Sequence, residues 1–426
     1  MLEYFETSRT DGVRQVNRAR VMRLIQDKSG IDRTELASLI GVSNAAITNI
    51  VNELIVADIV QETISSGDSL ARGRKRVGLQ IDRSGGFVLG ITAIATSVSI
   101  VLANIRGEVI DEIDVDPTHI ENPEHTLKQI HKKASIVLQR NAVPMDRLFG
   151  IGFSVAGYLA SDEQSLEFAS YLGWPNFNLK AKLQNMFGQN VTVENVNRCI
   201  ALAEIRFGTM AETKDMILIR SALGLGGVWV NEGRVLRGSH NLGGNLGHIL
   251  AVPDGELCSC GKRGCLNTVA AGWAVIHKLG AASSSYDTIN KYRTQNKQLR
   301  ELLGSEKMGD KKVISALTEA GATLAKHVLP TIQIMNPEAI CLTGPVGRHS
   351  AYAGAFRDTL LHFAAENFNP EVMEIALGSG IDVGTVDDDG QTALHHAAMW
   401  NANPDILTML LNNGADRTVL QQDRYG

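Results

Sequence analysis

The sequence predicts an α/β protein in three parts: a small helical module, a mixed α/β body and a helical tail. Apolar strand candidates alternate with helical stretches from about Gly85 to Arg348, the rhythm of a layered α/β core. Ahead of that body, three short helices with apolar faces precede two strand candidates around a cationic tip. Behind it, the segments TLLHFAA at 359–365 and TALHHAA at 392–398 lie 33 residues apart, a spacing of stacked helical repeats. A chain of 426 residues fits about three domains, each long enough to bury a core. The expected divisions are 1–82, 83–358 and 359–426.

The formal net charge of −5 is unevenly spread. Residues 1–86 carry 12 basic and 11 acidic side chains, whereas residues 359–426 carry 2 and 10. The acidity belongs to the tail, so it does not exclude nucleic-acid binding at the other end. The opening stretch MLEYFETSRTDG lacks the apolar run of a secretory signal. The uncharged segment from Phe87 to Ile105 is rich in Thr, Ser and β-branched residues, which two buried strands explain better than a membrane span. A cytoplasmic location without membrane insertion is expected.

From Asn17 to Ile81 the pattern is that of a winged helix-turn-helix. Val21, Leu24 and Ile25 share one face of a first helix that stops at Ser29-Gly30. Asp32 is placed to cap a second helix, with Glu35 completing a capping box, and Gly41 breaks it. Ser43 can cap a third helix whose Ile47, Ile50, Val51 and Leu54 face inward. Ser43, Asn44, Ala45, Thr48, Asn49 and Asn52 are left outward as small polar side chains suited to base edges in a major groove. Strands follow at 59–64 and 77–81, and between them Arg72, Arg74, Lys75 and Arg76 suit phosphates or a minor groove. The plain alternative is a solvated basic loop beside a three-helix bundle.

Within the body, strand candidates run 87–95, 98–105, 149–155, 216–220 and 339–343. Three of the five cysteines lie in the segment GGNLGHILAVPDGELCSCGKRGCLN at 243–267. His248, Cys258, Cys260 and Cys265 form a Cys3His set suited to tetrahedral zinc, and such a closed set leaves no open position for a reacting water. The zinc expected in loop 245–267 is therefore structural. A disulfide is the alternative, although one between Cys258 and Cys260 would be strained.

The motifs GIGFSVAG at 150–157, LGWPNFNLKAKL at 172–183 and ENVNRCIALAEIRFG at 194–208 resemble the ROK (repressor, open reading frame, kinase) family. LGLGGVWVNEGRVLRGSHNLGGNLGH at 223–248 and CSCGKRGCL at 258–266 continue the resemblance, which covers nearly all of residues 13–358. It implies an actin/hexokinase-like (ribonuclease H-like) α/β fold. A helix-turn-helix in front implies the repressor branch, whose members respond to sugars, sugar phosphates or sugar-transport proteins.

The family's kinases need an Asp-Gly turn for Mg²⁺ and phosphates and an Asp base in an E-N-D motif. Here Thr92 stands at the first Asp position, Ile94 and Ala95 at the glycines, and Val196 at the base. Valine cannot accept a proton, so no enzyme activity is expected. Asn245 and Asn267 stand where the family places sugar-binding Glu residues, and Asn195 is retained. These three asparagines are the candidate effector contacts, of either an altered site or a vestigial one. Gly224, Gly226 and Gly227 read as tight turns, Cys199 and Cys341 as small buried hydrophobes, and Trp174 as a packing residue.

Beyond about Asp358 the ROK pattern gives way to segments resembling ankyrin repeats, with turns GSGID at 378–382 and NNGAD at 412–416. Two such units are fewer than the three or more that usually sustain a stack. The tail therefore docks on the body, frays, or marks a truncated or fused product.

The combined expectation is a DNA-binding transcriptional regulator, in the form of a repressor of carbohydrate uptake or catabolism genes. Its partners would be a double-stranded operator, further copies in a homodimer or homotetramer, a sugar-related effector or transport protein, and a protein partner at the tail. A protein-interaction adaptor acting through the tail is the alternative, and a sugar kinase the third.

Overall fold

The computed structural model describes residues 9–64, 77–169, 171–211, 213–282, 289–304, 309–366, 370–378, 381–387, 389–400 and 403–415. The chain divides into two compact units. The first holds the chain up to Ala93, Ser97–Ser154 and Asn178–Val193; the second holds Ile94–Thr96, Val155–Phe177 and the chain from Glu194 onward.

The first unit opens with α1 (Arg9–Asp27), α2 (Arg33–Ile40) and α3 (Asn44–Val56). The chain bends by 118° between α2 and α3. Asp32 starts α2 by accepting the amides of Thr34 and Glu35, each at 2.9 Å. The Glu35 carboxylate, expected to complete a capping box, pairs with the Lys28 ammonium. A cation is the stronger partner for a carboxylate than a neutral amide. Ser43 starts α3 through the Ala46 amide at 3.2 Å. Ile47, Ile50, Val51 and Leu54 are buried with Val21, Ile25 and Leu36 in one small core, as the helical spacing requires. β1 (Val60–Ile64) and β2 (Val77–Ile81) pair antiparallel in the register Val60↔Ile81 to Ile64↔Val77, and Leu79 and Ile81 join the same core. The basic tip with Arg72, Arg74, Lys75 and Arg76 lies outside the described residues.

β3 (Phe87–Ile94) and β4 (Ser97–Asn104) are the two strands expected from the uncharged run. They continue into β5 (Val109–Val115), α4 (Pro123–Arg140) and β6 (Leu148–Val155). After β7 (Tyr158–Leu159), β8 (Ser165–Phe168) and β9 (Phe177–Asn178) come α5 (Leu179–Phe187) and β10 (Val191–Asn195). β10, β6, β3, β4 and β5 form one sheet in that order, while β7, β8 and β9 form a small one. Leu127, Ile130, Ala134 and Val137 give α4 its buried face.

In the second unit α6 (Val196–Phe207) is followed by β11 (Met216–Ser221), β12 (Leu225–Asn231) and β13 (Arg234–Val235). Helices α7 (Asn267–Ala270), α8 (Gly272–Lys278), α9 (Ile289–Leu302) and α10 (Lys311–Met335) precede β14 (Ala339–Thr343) and α11 (Gly344–Gly347). The sheet runs β13, β12, β11, β14, with β11 antiparallel to β12 and parallel to β14. Trp174 is buried and its ring lies 6.1 Å from that of Phe177, which is a packing role. Cys199 and Cys341 are half-buried rather than fully enclosed. Among the described residues no single helix is long and apolar enough to cross a membrane.

The tail is built from α12 (Ser350–Glu366), α13 (Pro370–Leu377), α14 (Ala393–Trp400) and α15 (Pro404–Asn412). The expected division after Asp358 falls inside α12, which is one continuous helix. Its N-terminal half buries Tyr352 and Phe356, and its C-terminal half buries Leu360, Leu361, Ala364 and Ala365. These residues share a single core with Leu317 and Leu324 of α10, Val372 and Met373 of α13, Ala397 of α14 and Leu410 of α15. The tail helices are therefore docked, with α10 and α12 packed in the same core. Between the two repeats the His396 imidazole is held by Glu366 at 2.6 Å and Asp387 at 2.8 Å.

Candidate nucleic-acid interface and metal centre

On α3, Ser43, Asn44, Ala45, Asn49 and Asn52 are exposed, while Thr48 is half-buried and turns its hydroxyl to the Asn44 carbonyl at 2.8 Å. The opposite face is fixed in the core, so the outward side chains ride on a rigid support. Arg33 reaches Asn52 Oδ1 at 3.5 Å and Glu62 at 2.8 Å, a contact that orients Asn52 and ties the helix to β1. Glu53 is the one acidic residue of α3, and Arg14 of α1 pairs with it. That pairing matters for an anionic ligand, because it neutralises the local negative charge. Arg14, Arg18, Arg20 and Arg23 are all exposed on α1. The density of these arginines in one helix is a signal legible in the sequence.

The candidate metal ligands come from two turns. His248 ends the one-turn segment Leu246–His248, and the cysteines follow in a loop closed by the bridges Leu250↔Cys265 and Leu257↔Arg263. Cys258 N–H donates to the Lys262 carbonyl at 2.8 Å and Gly261 N–H to the Cys258 carbonyl at 2.9 Å, so the chain doubles back and brings the sulfurs together. Gly264 has φ +71, and a Cβ there would collide with the Val252 carbonyl. Only glycine fits this position. The four ligand atoms all lie within 4.8 Å of one another. Cys258 Sγ is 3.5 Å from His248 Nδ1, and Cys260 Sγ is 3.6 Å from Cys265 Sγ. With Zn–S bonds of about 2.3 Å, tetrahedral geometry puts two sulfurs roughly 3.7 Å apart, so this donor set fits a metal ion. None of the five cysteines is joined in a disulfide. Burial, followed by the neighbouring Cys258 and Cys260 sulfurs, pushes the Cys265 thiol up to about 12. A bound dication reverses that preference by making the thiolate the favoured form.

The three candidate effector asparagines lie near this loop, and each is engaged internally. Asn195 donates to the Gly157 carbonyl at 2.7 Å and accepts the Asn197 amide at 2.9 Å as the cap of α6. Asn245 Oδ1 accepts the Tyr158 hydroxyl at 2.9 Å. Asn267 is 3 % exposed; its Oδ1 accepts the Leu225 amide at 2.7 Å, and its Nδ2 lies 3.9 Å from Cys258 Sγ. Beside them runs an ionic network that sequence reasoning missed. Glu194 meets Arg198 at 3.4 Å and Arg237 at 2.6 Å, and Arg237 also meets Glu163 at 2.6 Å. Arg198, 3 % exposed, bonds the Asn241 side chain and the Asn241 carbonyl, the latter at 2.8 Å. Asn241 has φ +57, the left-handed region where Asn is tolerated. An arginine on an otherwise apolar stretch of α6 was the available signal for this network.

The residues at the positions where the resemblance led to an expectation of kinase groups fall on regular elements. Val196 opens α6, and Thr92 and Ile94 lie on β3. Gly224 lies in the bend before β12, but Gly226 and Gly227, expected as tight turns, are strand residues of β12 paired with Arg220 and Ile219, and Gly227 N–H donates to the Gly244 carbonyl at 3.0 Å. That amide is committed to the protein itself.

Comparison with known proteins agrees with this architecture. The chain belongs to the ROK family, whose model matches residues 88–387, and an ankyrin-repeat model matches residues 389–424. The family match runs past Asp358 into the tail, in keeping with the continuous α12. The chain is 27 % identical over 333 residues to the xylose repressor of Caldicellulosiruptor bescii, covering 78 % of this chain and 83 % of that protein. It is 25 % identical to the DNA-binding transcriptional dual regulator NagC of Escherichia coli K12, covering 79 % and 82 %. A solved ROK-family transcriptional regulator, a homologue of the Escherichia coli MLC protein, superposes with a TM-score of 0.67 at 26 % identity, covering 94 % of this chain and 99 % of that one.

Proposed function

We propose that this protein is a DNA-binding transcriptional regulator that acts as a repressor under sugar-related control. The observation that carries the reading is α3: an outward row of Ser43, Asn44, Ala45 and Asn49, with Thr48 half-buried beside them, on a helix locked by its own core and entered through a 118° bend from α2. Helix-turn-helix modules have this bend, and Asn side chains of such a helix bond adenine edges in the major groove. The β1–β2 hairpin would be the wing. Arg72, Arg74, Lys75 and Arg76 at its tip, with the arginines of α1, would contact phosphates. The names of the similar repressors point the same way.

His248, Cys258, Cys260 and Cys265 would hold one zinc ion. With every donor a protein side chain, the ion supplies a cross-link and no reaction. It would hold the turn that carries Asn245 against the polar cluster of Tyr158, Asn195 and Glu194. A sugar or sugar phosphate entering there must compete with the bonds that now occupy the asparagines. Kinase activity is not part of this reading, since Val196 offers no base for the sugar hydroxyl. The protein would work as a homodimer or larger assembly on a paired operator.

The test is selection of bound duplexes from random DNA by the purified, zinc-loaded chain. Enrichment of one sequence family, with binding that weakens as salt rises, is the expected result. Recovery of no enriched sequence in dilute buffer would sink the proposal.

A further inference from the structure

We infer that Arg147 is a positioning residue for α3, and that through it the five-stranded sheet sets the angle at which α3 is presented. The inference rests on the DNA-binding reading above. Arg147 lies in the short turn Met145–Arg147 that leads into β6, far along the chain from α3. Its guanidinium nevertheless closes the C-terminal end of that helix. Nη1 donates to the carbonyl of Ala57, the residue that ends α3, at 2.8 Å, and to the Gly85 carbonyl at 3.3 Å; Nη2 meets the Asp58 carboxylate at 2.8 Å.

The last carbonyls of a helix have no partner within it, and the negative end of the helix dipole attracts a cation. Arg147 answers both needs from outside the module. The Asp58 pair is exposed and adds little by itself. The bonds to two carbonyls, held by one planar fork, give the direction.

Further contacts show that the module is seated rather than tethered. The backbone of Gly85 packs so closely on the segment after α3 that a Cβ there would lie 2.9 Å from Ile59 Cα and collide with the Asp58 carbonyl. Asp82 N–H donates to the Ile59 carbonyl at 2.9 Å. On the other side Gln26 of α1 donates to the Ile105 carbonyl at 3.4 Å, and the Ile105 side chain packs on the core of the three helices. The connection from β2 to β3 is thus pinned on the segment after α3, and the turn after β4 is pinned on α1 and the helical core. A tilt of the turn before β6 would drag the end of α3 with it.

The experiment compares wild type, Arg147→Ala and Arg147→Lys in the full chain. The probe is the duplex that wild type selects from random DNA, offered whole and cut to one half. A residue that only stabilised the fold would weaken both duplexes alike. A positioning residue matters most where two α3 helices must meet two sites at once. Arg147→Ala is expected to lower affinity for the whole duplex about tenfold, with the half duplex unchanged and Arg147→Lys recovering part of the difference. Equal weakening on both duplexes, or none on either, overturns the inference while leaving the regulator reading intact. Failure of wild type to select any duplex removes that reading and the inference with it.

Discussion

The Tyr158 hydroxyl donates to Asn245 Oδ1 at 2.9 Å, so this candidate effector contact already has a partner. Burial pushes the Tyr158 phenol above its ordinary range, which keeps it a neutral donor. A sugar hydroxyl that donates to Asn245 must displace it. Tyr158→Phe removes the competitor, and a net hydrogen bond is worth about 0.5–1.5 kcal/mol. The substitution is expected to raise affinity for an effector by up to roughly tenfold. Calorimetric titration with sugars and sugar phosphates measures this, and identical affinities in the two proteins would remove Asn245 from the site.

Cys258→Ala and Cys265→Ala are each expected to lower bound zinc from about one ion per chain to a small residue. Elemental analysis after gel filtration reads this directly. Because Gly264 and the loop hydrogen bonds already shape the turn, the change should loosen loop 245–267 while leaving the β11–β14 sheet intact. Full metal content in either variant would refute the ligand assignment.

Asn44→Ala or Asn49→Ala is expected to cost about 1–3 kcal/mol on the selected duplex if that side chain reads a base, with little change on unrelated DNA. Fluorescence anisotropy with both duplexes separates the two. A loss of the same size on both would place the asparagine on phosphate.

Arg74→Ala with Lys75→Ala is expected to weaken binding to all duplexes and to flatten the salt dependence by about one unit of slope for each phosphate no longer neutralised. Affinity measured across a salt series reports it. An unaltered slope would count against a wing contact.

Leu361→Ala is expected to destabilise the second unit by about 2–5 kcal/mol, the cost of a cavity in a closed core. Leu361 is fully buried in the core that α10 and the repeats share. Urea unfolding followed by tryptophan fluorescence should show the midpoint of the Trp273 region falling. A midpoint unmoved there would mean that the tail is energetically separate.

Much of the architecture was legible because it depends on local periodicity. The inward residues of α3 and its Ser43 cap follow from a 3.6-residue period and one hydroxyl, and the structure has them. The strand at Ala339–Thr343 and the pair β3 and β4 follow from short β-branched runs. The ligand cluster was legible because three thiols and an imidazole at that spacing have few uses other than holding a soft metal ion. What was hidden depends on residues far apart. Glu35 was assigned to its own helix because a capping box is a local rule, whereas Lys28 outside that helix won the carboxylate. The network from Arg198 to Asn241 spans 43 positions and has no periodic signature.

The order of residues alone determined the kinds of element, the grouping of His248 with three cysteines, the valine at Val196 and the family. These are set by side-chain chemistry and by neighbours within a helical turn or a short loop. Tertiary structure alone decided that the repeats share a core with α10 through one unbroken helix, that the candidate asparagines are satisfied internally, and that Arg147 caps α3. Each of these is a contact between groups distant in sequence, and such contacts are chosen by which buried surfaces and unpaired backbone groups meet when the chain closes up.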